Sequence, residues 1–286
     1  MVRADAGVRG VLDLRGVRIA WGTRTYVMGI VNVTPDSFSG DGLEDAAQAI
    51  AFALTQWESG ADLLDFGGES TRPGHQPVLE STEIARVVPV IRAVRERRVP
   101  VPISVDTYKP GVLRAAHEAG ADIVNSVWGA SPELLEVVAE LGIPIVAMHN
   151  QNSTAYDGDV VDAVLRYLEA SAVRATARGM VPQRIILDPG IGFGKTADQN
   201  IAVLRALDRV VALGFPTMLG TSRKSTIGKL TGRSAGDRLY GTLATVALAV
   251  SAGIDIVRVH DVRAVVDTVA VADAIARDWR PASWIE

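Results

Sequence analysis

Short apolar runs alternate with longer stretches whose apolar residues recur at helical spacing along most of the chain. Residues 27–32, 62–66, 102–106, 123–127, 145–149, 185–188, 217–220 and 255–259 read as strands. Residues 43–59, 81–97, 110–119, 132–141, 160–178, 198–213, 237–252 and 263–279 read as the helices between them. Regular alternation, with no linker or shift in composition, predicts a single α/β domain folded as a (β/α)8 TIM barrel over 11–286. A doubly wound open sheet is the second choice, since no G-x-G-x-x-G turn follows the first strands. Residues 11–14 and 17–20 flank Arg15-Gly16 as an N-terminal β-hairpin expected to close one end of the fold, and residues 1–10 read as a disordered lead-in.

Polar residues gather where these strands end: Asn32, Asp65, Asp106, Asn125, His149, Asp188, Arg258 and His260. Any one alone fits a cap or a core hydrogen bond. Together they point to a ligand, because the C-terminal ends of barrel strands and the loops after them build the active site, and buried charge is unfavourable without a partner.

Composition narrows the function classes. A chain of 286 residues with net charge −4 and no long basic run argues against nucleic acid as partner. Without cysteine there is neither a disulfide framework nor a thiolate metal site. Charged residues throughout the first twenty positions and short apolar runs argue against a signal peptide or a membrane span, so a cytoplasmic location is expected. His75 and His117 lie in a loop and a helix, which leaves His149 and His260 for the rim and no histidine metal cluster.

The richest stretch is Arg184–Thr196. A buried strand ends on Asp188, on the same face as Ile186, and runs into Pro189 and the glycines 190, 192 and 194. It fits a capping turn or a flat-ligand site equally. It is not a phosphate-binding P-loop, since Pro189 stands where the first glycine of that motif belongs. Turn-rich loops follow Asn32 (Thr34-Pro35-Asp36-Ser37) and Asp65, the second bearing Thr71 and Arg72. Arg258 and His260 share a strand face and suit a phosphate or pyrophosphate, with a histidine base as the alternative; Ser222, Arg223 and Lys224 point to the same anion. A hard cation held by Asn32 and phosphate oxygens fits the donor types.

Taken together, N-V-T-P-D-S-F at 32–38, G-G-E-S-T-R-P-G at 67–74, S-V-D-T-Y-K at 104–109, D-P-G-I-G-F-G-K at 188–195, S-R-K-S at 222–225 and R-V-H-D at 258–261 resemble the dihydropteroate synthases of the pterin-binding barrel family, in order and spacing. The resemblance implies condensation of 6-hydroxymethyl-7,8-dihydropterin diphosphate with 4-aminobenzoate, releasing pyrophosphate. It implies that Asp188, Asp106 and Asn125 hold the pterin, that Lys224 contacts its carbonyl side, and that Arg258 lies over the ring. His260 and Asn32 would bind pyrophosphate, with Asn32 also taking Mg2+. Phe38, Ser39, Thr71, Arg72, Pro73 and Ser222 would enclose the aminobenzoate, and Phe193 would join the substrate-binding set. A homodimer is likewise implied. Departures from the family pattern are Ser126 after Asn125, Met148-His-Asn-Gln-Asn152 after the fifth barrel strand, and S-F-S-G-D-G in the first loop. They leave two further readings, a pterin-binding methyltransferase domain and a non-catalytic pterin-binding paralogue.

Overall fold

The computed structural model describes residues 9–34, 42–70, 77–282 and 284. Strands β1 (Val11–Leu14) and β2 (Val17–Ala20) form an antiparallel hairpin. The barrel strands are β3 (Tyr26–Asn32), β4 (Leu63–Gly67), β5 (Ile103–Asp106), β6 (Ile123–Ser126), β7 (Ile145–Met148), β8 (Ile185–Asp188), β9 (Met218–Leu219) and β10 (Ile256–Val259). They pair in parallel in the order β8-β7-β6-β5-β4-β3-β10-β9. A bridge from Leu187 to Thr217 closes the ring between β8 and β9. The helices are α1 (Gly42–Glu58), α2 (Glu80–Glu96), α3 (Pro110–Ala119), α4 (Pro132–Leu141), α5 (Val160–Thr176), α6 (Ala197–Arg205), α7 (Leu207–Val211), α8 (Ser225–Thr231), α9 (Leu239–Ala252) and α10 (Val262–Arg277). The expected TIM barrel with its hairpin is therefore the fold.

Strand parity divides the core in two. Alternate residues (Val27, Leu64, Val105, Val124, Leu187, Val257) face the helices and form the larger cluster. The intervening ones (Tyr26, Met28, Leu63, Ile123, Val146, Ile186, Met218, Ile256) fill the barrel. Leu12, Ile19 and Trp21 from the hairpin segment join this inner cluster, so the hairpin plugs the N-terminal end. No described helix is long and apolar enough to cross a membrane.

A device absent from the sequence reading ties that end together. Gly60-Ala-Asp62, Gly120-Ala-Asp122 and Gly253-Ile-Asp255 each end a helix on a left-handed glycine (φ +99°, +116° and +96°) and begin a strand with an aspartate. Each carboxylate accepts a backbone N–H at the foot of the neighbouring strand: Val27 N at 2.8 Å, Ile103 N at 2.9 Å and Thr217 N at 2.8 Å. Each also pairs with an arginine from the leading segment: Arg24 with Asp62, Arg15 with Asp122, and Arg9 with Asp255. Arg9 further donates to the backbone oxygens of Phe215 and Gly253, so the chain is anchored from that residue on; residues 1–8 lie outside the described residues.

Two expected helices differ. The one expected over 198–213 breaks at Ala206 (φ −111°, ψ 23°) into α6 and α7. A short helix, α8, was not expected; it ends at Gly232 in the left-handed conformation.

Candidate active site

Parity also decides which polar residues reach the mouth, the C-terminal end of the barrel. Continuing the inward rows upward from Met28, Leu63, Ser104, Ile123, Ile186 and Ile256 gives Asn32, Asp65, Asp106, Asn125, Asp188, Arg258 and then His260. His149 follows an inward Met148 and so turns outward, toward the helices. It stacks near Tyr156 and meets Tyr167 edge-on, with ring centroids 4.9 Å apart in the latter pair. The rim position expected for His149 is thus incorrect.

Two acids hold Arg258, and an amide braces one of them. Asp65 Oδ2 accepts from Arg258 Nε at 2.6 Å and from Asn125 Nδ2 at 3.0 Å, and Asp106 Oδ2 accepts from Arg258 Nη2 at 2.9 Å. These bonds leave Asp65 Oδ1, Asp106 Oδ1, Asn125 Oδ1 and Ser104 Oγ buried without a hydrogen-bond partner. Buried polar atoms are rarely left so. Three unmet carbonyl or carboxylate oxygens within one network have the chemistry to accept N–H groups. Asp65 belongs to this network more centrally than its sequence position indicated, being the acid that links Asn125 to Arg258.

Across the mouth, Asp188 Oδ1 accepts Gly190 N at 2.7 Å, which folds the turn back over the strand tip. Gly190 has φ +68°, and a Cβ there would stand 1.9 Å from the backbone oxygen of His149, so no other residue fits. Half-buried Lys224 extends over the turn: its Nζ donates to the Ile191 carbonyl and lies 4.6 Å from the centroid of Phe193. Lys224 thus stands against Phe193, with its charge acting on Asp188. On the far side of the turn is buried Lys195, which is not among the expected site residues.

At the β9–β10 side, Ser222 Oγ accepts from His260 N at 3.1 Å and bonds His260 Nδ1 at 2.9 Å. Arg223 does not join them. It has φ +57°, which turns its side chain away to form a two-pronged ion pair with Asp261. The anion role expected for Arg223 is replaced by bracing of the two loops. Asn32 stands half-buried at the tip of β3. Gly67, lacking a side chain, leaves open the space between them: a Cβ there would lie 3.8 Å from Asn32 Oδ1 and 3.9 Å from Asp106 Oδ2. Hard oxygen donors of this kind suit a magnesium ion that keeps most of its ligands from water and phosphate. Phe38, Ser39, Thr71, Arg72 and Pro73 lie outside the described residues, as does Asp36. The family departure Ser126 faces outward, donating to Gly129 O at 2.6 Å, and does not line the mouth.

Burial and charge set the ionisation of the site. Burial pushes the Asp106 carboxyl up to about 7; Arg258 opposes this, and Asp65, Glu83 and Glu69 add to it. Asp188 is also raised by burial, against the pull of Lys224, the Gly190 N–H, Lys195 and Arg258. Burial lowers Lys224 to about 8, with Asp188 resisting. Burial also works against the Arg258 charge, but Asp65 and Asp106 outweigh it and hold the guanidinium above its ordinary value. The arrangement offers acidic acceptors to a flat, N–H-bearing heterocycle and cations to an anionic group beside it.

The sequence matches the profile of pterin-binding enzymes over residues 28–260. Among characterised proteins, the chain is 46% identical over 271 residues to the dihydropteroate synthase of Synechocystis sp., covering 91% of this chain and 92% of that one. It is 43% identical to the dihydropteroate synthase of Bacillus subtilis, covering 93% of each. Among solved structures, the Xanthomonas albilineans dihydropteroate synthase with 4-aminobenzoic acid superposes with a TM-score of 0.88 at 43% identity, covering 93% of this chain and 97% of that chain. The same enzyme in complex with 7,8-dihydropteroate gives 0.85 at 42% identity, covering 93% and 98%.

Proposed function

The chain belongs to the dihydropteroate synthases of the pterin-binding enzyme family, and from that premise we propose how its mouth carries out their reaction. The amine nitrogen of 4-aminobenzoate attacks the exocyclic methylene of 6-hydroxymethyl-7,8-dihydropterin diphosphate. The methylene C–O bond breaks, its electron pair leaves with pyrophosphate, a C–N bond forms, and the amine gives up a proton to the departing pyrophosphate or to water. No protein nucleophile is required. The barrier falls when positive charge at the methylene spreads into the pterin while the leaving group's negative charge is neutralised.

The observation that carries this reading is the set of unmet acceptors on Asp106, Asn125 and Asp65 in the same mouth as Asp188 and Arg258. Asp188, Asp106 and Asn125 take the pterin's amino and ring N–H edges, with Phe193 against the ring. Lys224 directs its ammonium to the carbonyl side. Arg258, oriented by Asp65 and Asp106, lies over the ring and reaches toward the diphosphate. His260 and Asn32 receive pyrophosphate, with Ser222 fixing the His260 ring. Thr71 and Arg72, together with Ser222, contact the aminobenzoate. Magnesium, held by Asn32 with phosphate oxygens and water, would neutralise charge on the departing diphosphate.

Pyrophosphate release measured with and without 4-aminobenzoate tests the reading. Release that requires both substrates is expected. Tight pterin binding without release would instead mark a non-catalytic binder, and methyl transfer from a methylated pterin would mark the methyltransferase reading. Among the described residues, Ser126 points away from the site while Arg258 and His260 line it, which favours the synthase reading.

The functional unit is proposed to be a homodimer acting in the cytoplasm. Tyr240 and Leu248 on α9 and Val271 and Ile275 on α10 are each more than half exposed on two packed helices, an apolar surface suited to a second copy. A chain without cysteine suits a reducing compartment.

A further inference from the structure

Lys195 is the least expected charge in the molecule. It is buried, and no carboxylate among the described residues forms an ion pair with it. Its Nζ donates to Gly190 O at 2.9 Å and Phe193 O at 3.1 Å, and lies 2.9 Å from His149 Nδ1. Burial lowers the Lys195 amine to about 7, with the Asp188 charge resisting; in its ammonium form it has three protons and no acceptor, so Nδ1 then accepts from it and the imidazole is neutral. All three protons are thereby used. A buried cation bound only by neutral groups is unfavourable unless a negative charge nearby offsets it.

The turn itself supplies that charge. Gly190 O and Phe193 O are turned toward Lys195 on the His149 side, while Asp188 at the start of the same turn faces the mouth. Contact on the reverse side is as close. A Cβ on Gly190 would meet His149 O, and one on Gly194 would stand 2.5 Å from Gln151 O. The turn is pressed between Lys195 beneath and Lys224 above, which donates to Ile191 O. The titratable and charged groups around it are His149, backed by Tyr156 and Tyr167, together with Lys224, Arg258 and Asp188.

We propose that Lys195 is a positioning residue for pterin binding: it staples the 188–195 turn from behind and adds its positive charge to that of Lys224 in favouring an ionised Asp188 toward the ligand, without touching substrate. This rests on the assignment of Asp188 to the pterin. It accounts for an unpaired buried ammonium that packing alone leaves unexplained. Asp188 and Lys195 then form a charge pair acting through the turn, each favouring the other's ionised form.

Two variants separate the charge from the staple. Lys195→Met removes both, and Lys195→Gln keeps N–H donors while removing the charge. Affinity for the pterin diphosphate, titrated calorimetrically against pH, is expected to fall about tenfold or more in Lys195→Met. The acid-side midpoint of binding, where Asp188 takes up a proton, is expected to move to higher pH in both variants. A midpoint unmoved in both overturns the proposal whatever happens to affinity, since a purely structural staple alters packing without shifting that midpoint. A reciprocal measurement needs no change at Lys195. In Asp188→Asn, the pH at which the Lys195 amine loses its proton, followed by carbon-13 NMR of Cε, is expected to fall, and an unmoved titration again overturns it. Wild-type protein that binds no pterin would refute the functional assignment instead, so the two failures are distinct.

Discussion

Asp65→Asn tests the electrostatic heart of the mouth. Asp65 is fully buried and accepts two hydrogen bonds on one oxygen, from Arg258 Nε and Asn125 Nδ2. Asparagine can keep both with its amide oxygen, placing its NH2 where Asp65 Oδ1 now has no hydrogen-bond partner. What changes is the charge. A hydrogen bond to a charged group contributes about 1.5–3 kcal/mol and a neutral one about 0.5–1.5 kcal/mol; the Asn125 bond makes that exchange, while the Arg258 bond keeps its charged donor but loses the ion-pair attraction, together roughly 2–3 kcal/mol. Removing one of two neighbouring carboxylates relieves repulsion with Asp106 and returns part of this. A net loss of ~1–2 kcal/mol lowers the melting temperature by roughly 2–8 °C.

The ionisation of Asp106 is the sharper readout. Burial is the main reason that carboxyl stands near 7, and the Asp65 charge raises it further while Arg258 opposes both. Neutralising Asp65 removes a repulsion and leaves Arg258 with Asp106 as its remaining carboxylate ion-pair partner among the described residues. The Asp106 midpoint therefore moves down, toward the ordinary carboxylate range. Carbon-13 NMR of the aspartate carboxyls in wild type and variant reads it directly. An Asp106 midpoint that stays where it is in wild type would refute the coupling of the two acids through Arg258.

Three further outcomes are expected. Asp188→Asn turns a carboxylate acceptor into an amide that presents N–H to N–H, and pterin affinity should drop by about 10- to 100-fold, one charge-assisted bond of ~1.5–3 kcal/mol; isothermal titration giving wild-type affinity counts against the pterin assignment. Arg258→Lys keeps the charge but loses the planar fork that reaches Asp65 and Asp106 together, so pterin affinity and kcat/KM should both fall, and unchanged kinetics would remove Arg258 from the site. Burial, reinforced by Lys195, depresses His149 from 6.5 to about 4, so the folded state favours the neutral ring. The unfolded chain binds more protons between those values, and this part of the stability is present above pH 6.5 and lost as pH falls toward about 4. Thermal melts across that range should show a shallower pH dependence in His149→Gln than in wild type; parallel curves would contradict it.

Much of the barrel was legible because its two signals are local. Strand parity and helix periodicity are written in each segment, and 110–119, 132–141 and 185–188 coincide with α3, α4 and β8 to the residue. The same parity, applied to β7, shows why His149 was misplaced. A polar residue at a strand end reads as a rim residue, yet by parity Val146 and Met148 already occupy the inward row. Arg223 was misassigned for a different reason: its left-handed backbone, which no local signal announces in a non-glycine residue, directs it to Asp261. Asp65 and Lys195 acquire their roles only through partners 193 and 46 positions away, Arg258 and His149. Such long-range pairings have no signature in a single sequence. The Gly-x-Asp recurrence at three strand feet, by contrast, was open to inspection and would have identified the bottom of the barrel.

The hairpin plug has a consequence for traffic. With Leu12, Ile19 and Trp21 filling the N-terminal end, the barrel has a floor and is not a tube. Whatever enters above Asp188 and Asp106 must leave by the same doorway. On the proposed placement, a bicyclic head seated lowest would lie beneath its own diphosphate, and the condensed product is expected to back out only after pyrophosphate has gone.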